Sequence, residues 1–287
     1  MRGVRELRAR RSPKTAFVLG GGGNLGAIQV GMLRALLARG VVPDLLVGCS
    51  VGALNAAALA VSPTSEGVHR LETLWSTLRG EDVCPTGRLS GPWQLALPGE
   101  GLYSNDGLRK LIERFLPFRR LEDAHVPLHV VATSLRTGAE TWFSTGPAVD
   151  AILASAALPA AFPPVRINGE LYIDGAVVNN VPISKAVELG AVRIYVLHVG
   201  NFERPRPDPR RPLDVLVQSF SIARNHRFQF ESQLGYPGVE VIILPGVDPG
   251  PVKFNDFTRT REMIERGHGV TTAFLDAGAV ATVGLTS

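Results

Sequence analysis

The chain has 287 residues, is 45% hydrophobic and 7% aromatic, and carries a formal charge of +4, which is enough length and apolar content to bury one large globular core. That charge arises in the first fourteen residues, where Arg2, Arg5, Arg8, Arg10, Arg11 and Lys14 against Glu6 give +5 and leave −1 for the rest. A nearly neutral body argues against a dedicated nucleic-acid protein, two cysteines give no disulfide framework, and no run approaches the length of a membrane span.

Residues 1–14 read as a basic, solvated and disordered tail that could also touch anionic lipid headgroups at a membrane surface. Arg10-Arg11 suggests a twin-arginine export address, but the apolar stretch that follows, Ala16 to Leu19, is too short for a signal core. A reducing cytoplasm, with peripheral contact at the inner membrane face, is therefore the expected location. Residues 15–280 read as a single domain and 281–287 as a C-terminal tail.

Ala16 to Leu19 predicts a strand, and Leu25, Ile28, Met32, Leu33, Leu36 and Leu37 recur at the spacing of a helix face. Between them lies Gly21-Gly22-Gly23-Asn24-Leu25-Gly26, a glycine-rich strand-to-helix turn whose bare amides suit an anionic oxygen or a phosphate. Gly21-x-Gly23-x-x-Gly26 also fits a dinucleotide fingerprint, which wants an acid at the end of the next strand. Asp44 stands at the start of that strand, Leu45 to Val47, and its far end leads instead to Gly48-Cys49-Ser50-Val51-Gly52 and the small-residue helix Ala53 to Ala60. Strand, elbow and helix in that order expose the hydroxyl of Ser50 on a sharp turn, with Gly48 and Gly52 admitting the close approach of neighbouring backbone. The plainer reading makes Ser50 a helix cap.

Gly80 to Gly101 is rich in glycine and proline yet carries Trp93, Leu95 and Leu97, either a flap over an acyl channel or a packing loop. Further strands are expected at Leu128–Ala132, Thr141–Phe143, Leu171–Ile173, Arg193–Val199 and Glu240–Leu244, with helical runs after most of them. Arg204 to Pro212 reads as a stiff basic connector before a helix striped by Leu213, Leu216, Val217 and Phe220. The alternation predicts an α/β fold, a mainly parallel central sheet with helices on both faces and the active site at the carboxyl ends of the strands. Tyr172-Ile173-Asp174-Gly175-Ala176 ends one apolar run on an acid. Alone it is a turn signal, but it stands 124 residues after Ser50, room for several strand-helix units to bring the two together.

In this order the glycine loop, the Gly-x-Ser-x-Gly elbow and the Asp-Gly-Ala element resemble the patatin-like phospholipase family. So does Ala154-Ser155-Ala156-Ala157-Leu158-Pro159-Ala160-Ala161-Phe162-Pro163-Pro164, with Asn180 and Pro182 continuing the pattern. The resemblance covers roughly residues 14 to 280 and departs at Leu25, where many members carry Arg or Lys. It implies a patatin-like three-layer sandwich and a lipid acyl hydrolase, of phospholipase A or lysophospholipase type, with Ser50 as nucleophile and Asp174 as its general base. Amides of Gly21, Gly22, Gly23, Asn24 and Val51 would hold the oxyanion, with Gly26, Gly48, Gly52, Gly175 and Ala176 shaping the turns. The implied substrate is a lipid or other acyl ester, and neither metal nor cofactor is required.

Two rivals remain at the level of sequence. A serine hydrolase of Ser, Asp, His order could draw its histidine from His198, His226 or His268, of which only His268, between Gly267 and Gly269, looks conformationally free. A patatin-like protein could also bind acyl lipids with weak turnover or none. Cys49 is a poor rival nucleophile, because the elbow aims its third residue, not its second, into the site.

Overall fold

In chain order the elements are β1 (Thr15–Leu19), α1 (Gly26–Leu37), β2 (Leu45–Cys49), α2 (Val51–Val61), α3 (Ser65–Thr77), α4 (Gly80–Val83), α5 (Asp106–Phe115), β3 (Leu128–Ser134), β4 (Glu140–Phe143), α6 (Ala148–Ser155), β5 (Val165–Ile167), β6 (Glu170–Asp174), α7 (Ile183–Glu188), β7 (Arg193–Leu197), α8 (Pro212–Gln233), β8 (Glu240–Ile243) and α9 (Thr260–Asp276). This computed structural model describes residues 14–85, 103–199, 208–209, 212–248, 250, 252 and 255–278, without the side chains of 212–214, 216 and 217. The basic tail before Lys14, the expected flap residues Trp93, Leu95 and Leu97, most of the 204–212 connector and the 281–287 tail lie outside the described residues.

The strands form one mixed sheet in the order β5-β6-β3-β2-β1-β7-β8, with β4 also paired to β3. β3, β2, β1, β7 and β8 run parallel, while β4, β5 and β6 are antiparallel to their neighbours. Along β1 every residue from Ala16 to Leu19 is buried, and the pleat sorts them by parity. Phe17 and Leu19 join a core with α1, α2, α3 and α9, whereas Ala16 and Val18 join a second core with α7 and Phe228 of α8. The two cores make the helix–sheet–helix sandwich expected from the sequence.

Each predicted strand is present within two residues at either end. β7 stops at Leu197, leaving His198 and Val199 beyond the sheet. Strand β5 was not anticipated; it is joined to β6 by Asn168 and Gly169, both at positive φ (49° and 84°), the left-handed pair of a tight hairpin. α1 is buried nearly all round, and its contact with α9 is backbone to backbone. A Cβ on Gly31 would lie 2.0 Å from the Ile264 carbonyl oxygen, and one on Gly267 would lie 2.4 Å from that of Ile28. Gly267 is thus a packing residue in mid-helix, and His268 sits within α9 rather than in a free segment.

The register of β3 positions the site. Val130 and Val131 pair with β2 and with β4, and Ala132 and Thr133 pair with β4 and with β6. A strand has two edges, so β2 and β6 must share the one that β4 does not occupy. They meet there head to head, with Cys49 opposite Val131 and Asp174 opposite Ala132.

Candidate active site

Ser50 follows β2 directly and precedes α2, at φ 54° and ψ −126°. Such a conformation costs a side-chain-bearing residue on the order of 1–3 kcal/mol and survives only where the surroundings fix it. Three features do so. The Ser50 amide donates to Oγ of the fully buried Ser155 at 2.9 Å, and the Ser50 carbonyl accepts from Ala53 at 2.9 Å. A Cβ on Gly48 would come within 2.6 Å of the Ala53 Cα, and one on Gly52 within 2.1 Å of the Leu19 carbonyl oxygen, so both glycines let α2 press on the sheet. Although Ser50 occupies the cap position, its side chain caps nothing. Its Oγ instead donates to Asp174 Oδ2 at 2.7 Å.

Asp174 ends β6 and is 1% exposed. Its carbonyl accepts from Thr133 Oγ1 at 2.9 Å and its amide donates to Ala157 at 2.9 Å, which fixes the backbone. Oδ1 accepts from the Ala176 amide at 2.8 Å, leaving Oδ2 for Ser50. Gly175 is required beside it, since a Cβ there would lie 2.4 Å from the Val131 carbonyl oxygen. Burial pushes the Asp174 pKa up to about 6, against the opposing pull of the Ser50 and Ala176 hydrogen bonds and of the Arg224 charge. Burial first, and Asp174 second, holds the Cys49 thiol well above its ordinary value, so the buried neighbour of the serine stays protonated.

The glycine loop reaches the same place from β1. Gly22, Gly23, Asn24 and Leu25 line one cavity with Ser50, Val51 and Asp174. A Cβ on Gly22 would strike Val199 at 2.1 Å, and one on Gly26 would strike Val51 at 2.4 Å. Gly21 differs from the other expected donors, because its amide is bonded to the Asn180 carbonyl oxygen at 3.2 Å. It anchors the loop.

A buried amide chain ties the loop to the cavity wall. Gln29 Nε2 donates to the carbonyls of Gly20 (2.7 Å) and Leu197 (2.9 Å), and Asn55 Nδ2 donates to Gly26 (3.0 Å) and to Gln29 Oε1 (2.8 Å). Trp75 Nε1 closes the chain on Asn55 Oδ1 at 2.9 Å. Both ends of the glycine loop are thereby held from below. Sequence reasoning missed Gln29, Asn55 and Trp75, and recorded Ser155 without a role. The available signal was a polar residue set within an apolar helical run, which in a core must find partners.

The cavity measures about 680 Å³, inside the ~300–1,000 Å³ span of ligand sites. Leu71, Trp75 and Leu78 near α3 and Leu108, Leu111 and Phe115 of α5 give it apolar walls. Among the described residues no histidine lines it. His198 is buried against Phe228, ring centroids 5.1 Å apart, and burial lowers its pKa to about 4. His226 is exposed on α8, and His268 lies on α9 alongside α1. Among the described residues no cluster of His, Cys, Asp and Glu could hold a metal ion, and no helix is long and apolar enough to cross a membrane.

A strained serine bonded to a buried carboxylate, beside a glycine loop at the carboxyl ends of parallel strands, defines a hydrolase-like site. The sequence pattern of the patatin-like phospholipases matches residues 17–187, and the chain belongs to that family. It is 30% identical over 188 residues to patatin-like phospholipase domain-containing protein 7 of Rattus norvegicus, an alignment covering 65% of this chain and 14% of that protein. An uncharacterized NTE family protein of Mycobacterium bovis is 27% identical, over 64% of this chain and 49% of its own length. The chain thus spans half or less of these curated relatives. VipD from Legionella pneumophila superposes over 93% of this chain and 67% of its own, with TM-score 0.50 and 17% identity, a likeness of fold alone.

Proposed function

We propose that the protein hydrolyses carboxylic esters of acyl lipids, with Ser50 as nucleophile and Asp174 as the base that takes its proton. The observation that carries this reading is the 2.7 Å hydrogen bond from Ser50 Oγ to Asp174 Oδ2 at the wall of an apolar cavity. An ordinary aspartate, with a pKa near 3.9, is a feeble base, but one raised toward 6 is ionised at neutral pH and closer to the proton affinity the step requires. Ser50 attacks the ester carbonyl as its proton passes to Asp174, and the negative oxygen that forms is held by amides of Gly22, Gly23, Asn24 and Val51. Collapse expels the alcohol, which leaves with that proton. Water, deprotonated by the same carboxylate, then attacks the acyl-serine, and the acyl–Oγ bond breaks as Asp174 returns the proton to Ser50 Oγ and the fatty acid leaves.

Family membership supports the lipid ester, and the apolar walls supply a site for its acyl chain. A dyad is favoured over a Ser-His-Asp relay because no histidine lines the cavity among the described residues. Hydrolysis of a p-nitrophenyl acyl ester tests the reading. Ser50→Ala and Asp174→Asn are each expected to lose at least about a thousandfold in kcat. Equal rates in the wild type and both variants would leave only an acyl-binding protein. Loss on changing His198, His226 or His268 alone would restore the triad.

A further inference from the structure

Glycine gives the oxyanion loop its space but not its rigidity. Gly20, Gly21, Gly22 and Gly23 stand in a row, and Gly23 takes a positive φ of 60°. Such a run gives up more conformational freedom on folding than any other, while an oxyanion is stabilised only by donors already fixed in direction. The buried amide chain holds the loop at Gly20 and Gly26, and Gly21 is bonded to Asn180, which leaves the middle of the loop to be fixed by something else. Asn24 is the first residue after the glycines with a side chain that can grip, and it is 3% exposed. Its Nδ2 donates to the Asp256 carbonyl oxygen at 2.6 Å. A carbonyl only accepts, so the amide nitrogen must face it.

The acceptor is itself held. Asp256 Oδ1 accepts from the Thr258 amide at 2.9 Å and from the Thr258 hydroxyl at 2.7 Å, and Thr260 Oγ1 donates to the Phe257 carbonyl at 2.6 Å where α9 begins. Between these bonds Phe257 packs on Trp75, ring centroids 6.1 Å apart, and lines the cavity. A Cβ on Gly80 would lie 2.7 Å from the Asn255 carbonyl oxygen, so this strap of residues 255–260 also abuts the start of α4. Helix α9 beyond it is seated backbone to backbone on α1, the helix into which the glycine loop runs. The family pattern ends at residue 187, so the anchor of the loop lies outside the matched region.

Resting on the hydrolase reading above, we infer that the Asn24 side chain is a positioning group. By tying the loop to the 255–260 strap it fixes the direction in which the Gly23 and Asn24 amides meet the oxyanion, so the turn ahead of α9 governs kcat although Asp256 does not line the cavity.

The test measures hydrolysis of p-nitrophenyl octanoate by the wild type, Asn24→Ala, Asn24→Asp, Asp256→Ala and Asp256→Asn, with thermal melting to establish that each variant is folded. Asn24→Ala keeps the backbone amide and loses the tether, whereas Asn24→Asp keeps the shape but turns a carboxylate on the Asp256 carbonyl. Each is expected to lower kcat at least about tenfold while KM changes less than about threefold. Asp256→Ala removes the acceptor that Thr258 uses and should lower kcat in the same sense, and Asp256→Asn restores that oxygen and should stay within about twofold of the wild type. Inhibition by an octyl trifluoromethyl ketone reads the oxyanion itself, because Ser50 Oγ adds to the ketone carbon, its proton passes to Asp174, and the charged oxygen left behind needs the same amides. Its affinity should fall in step with kcat/KM across the variants. Hydrogen exchange of the peptide holding residues 20–26 reads the tether without turnover and should quicken at least about tenfold in Asn24→Ala and Asp256→Ala. A kcat within about twofold of the wild type in Asn24→Ala, a loss carried by KM alone, a ketone affinity that does not follow the rate, or unchanged loop exchange overturns the tether. Quickened exchange in a protein whose wild type hydrolyses no ester would instead support the tether and count against the catalytic reading.

Discussion

At the scale of single residues, the site turns on a carboxylate kept in an unfavourable place. Asp174 is buried, and burial outweighs the hydrogen bonds from Ser50 and Ala176, so its pKa sits near 6 rather than near 3.8. Two outcomes follow from that one shift. As the proposed base, Asp174 would work only when ionised, so kcat/KM for a neutral ester should fall tenfold per pH unit below a limb near pH 6, well above the range of a free aspartate, in a pH–rate profile. The same shift also opposes folding at neutral pH. A folded pKa above the unfolded one means that the native state holds the proton more tightly, so the stability is full below about pH 4 and is lost as pH rises through 6. Asp174→Asn, which removes the charge and keeps the shape, is therefore expected to be more stable than the wild type at pH 8, by up to about 3 kcal/mol, with the gain vanishing toward pH 4. Chemical denaturation at the two pH values checks it, and a wild type equal to the variant at both would contradict the pKa. Ser50 carries the complementary cost in its backbone, and the Ser155 hydroxyl that receives its amide is part of what makes that conformation hold.

At the scale of elements, the glycine loop is positioned by α1, α2 and α3 through Gln29, Asn55 and Trp75, of which only the first two are marked in the sequence as polar residues inside apolar helical runs. Asn55 touches Gly26, Gln29 and Trp75 at once, so Asn55→Leu would leave the Gly26 carbonyl, the Gln29 amide oxygen and the Trp75 indole without that partner in a dry core. The expected loss is at least about 2 kcal/mol of stability by denaturation, with a fall in kcat larger than any change in KM. Unchanged stability would mean that water or a shifted neighbour replaces the amide. Elements were legible wherever periodicity carried them: β1, β2, β3 and β7 are apolar runs bounded by polar or glycine residues, and their buried parity needs no long-range information. The β5–β6 hairpin was not read from the sequence, because its three-residue strand is too short to give a period, although Asn168-Gly169 at its tip is a hairpin-turn pair. Gly267 illustrates the converse. Glycine beside His268 suggests freedom when only the sequence is read, yet it marks the place where α9 touches the backbone of α1.

At the scale of the whole molecule, the pairing of Ser50 with Asp174 is a consequence of topology. β2 and β6 meet head to head along one edge of β3, and that meeting brings a hydroxyl and a carboxyl 124 residues apart in sequence within 2.7 Å. Ser50 and Asp174 could be nominated from the chain because local turn chemistry marks each of them. Arg224 could not, because nothing near it in sequence distinguishes it from other arginines on a helix, and its place beside the cavity depends on how α8 lies against the Gly175–Val177 turn. The most direct measurement of the central claim is the rate at which an alkyl fluorophosphonate modifies the protein, with the adduct located by peptide mass. Activation of Ser50 by Asp174 predicts a single adduct on the peptide holding Ser50, formed at least about a thousandfold more slowly in Asp174→Asn. An adduct on another residue, or an undiminished rate in Asp174→Asn, would contradict it.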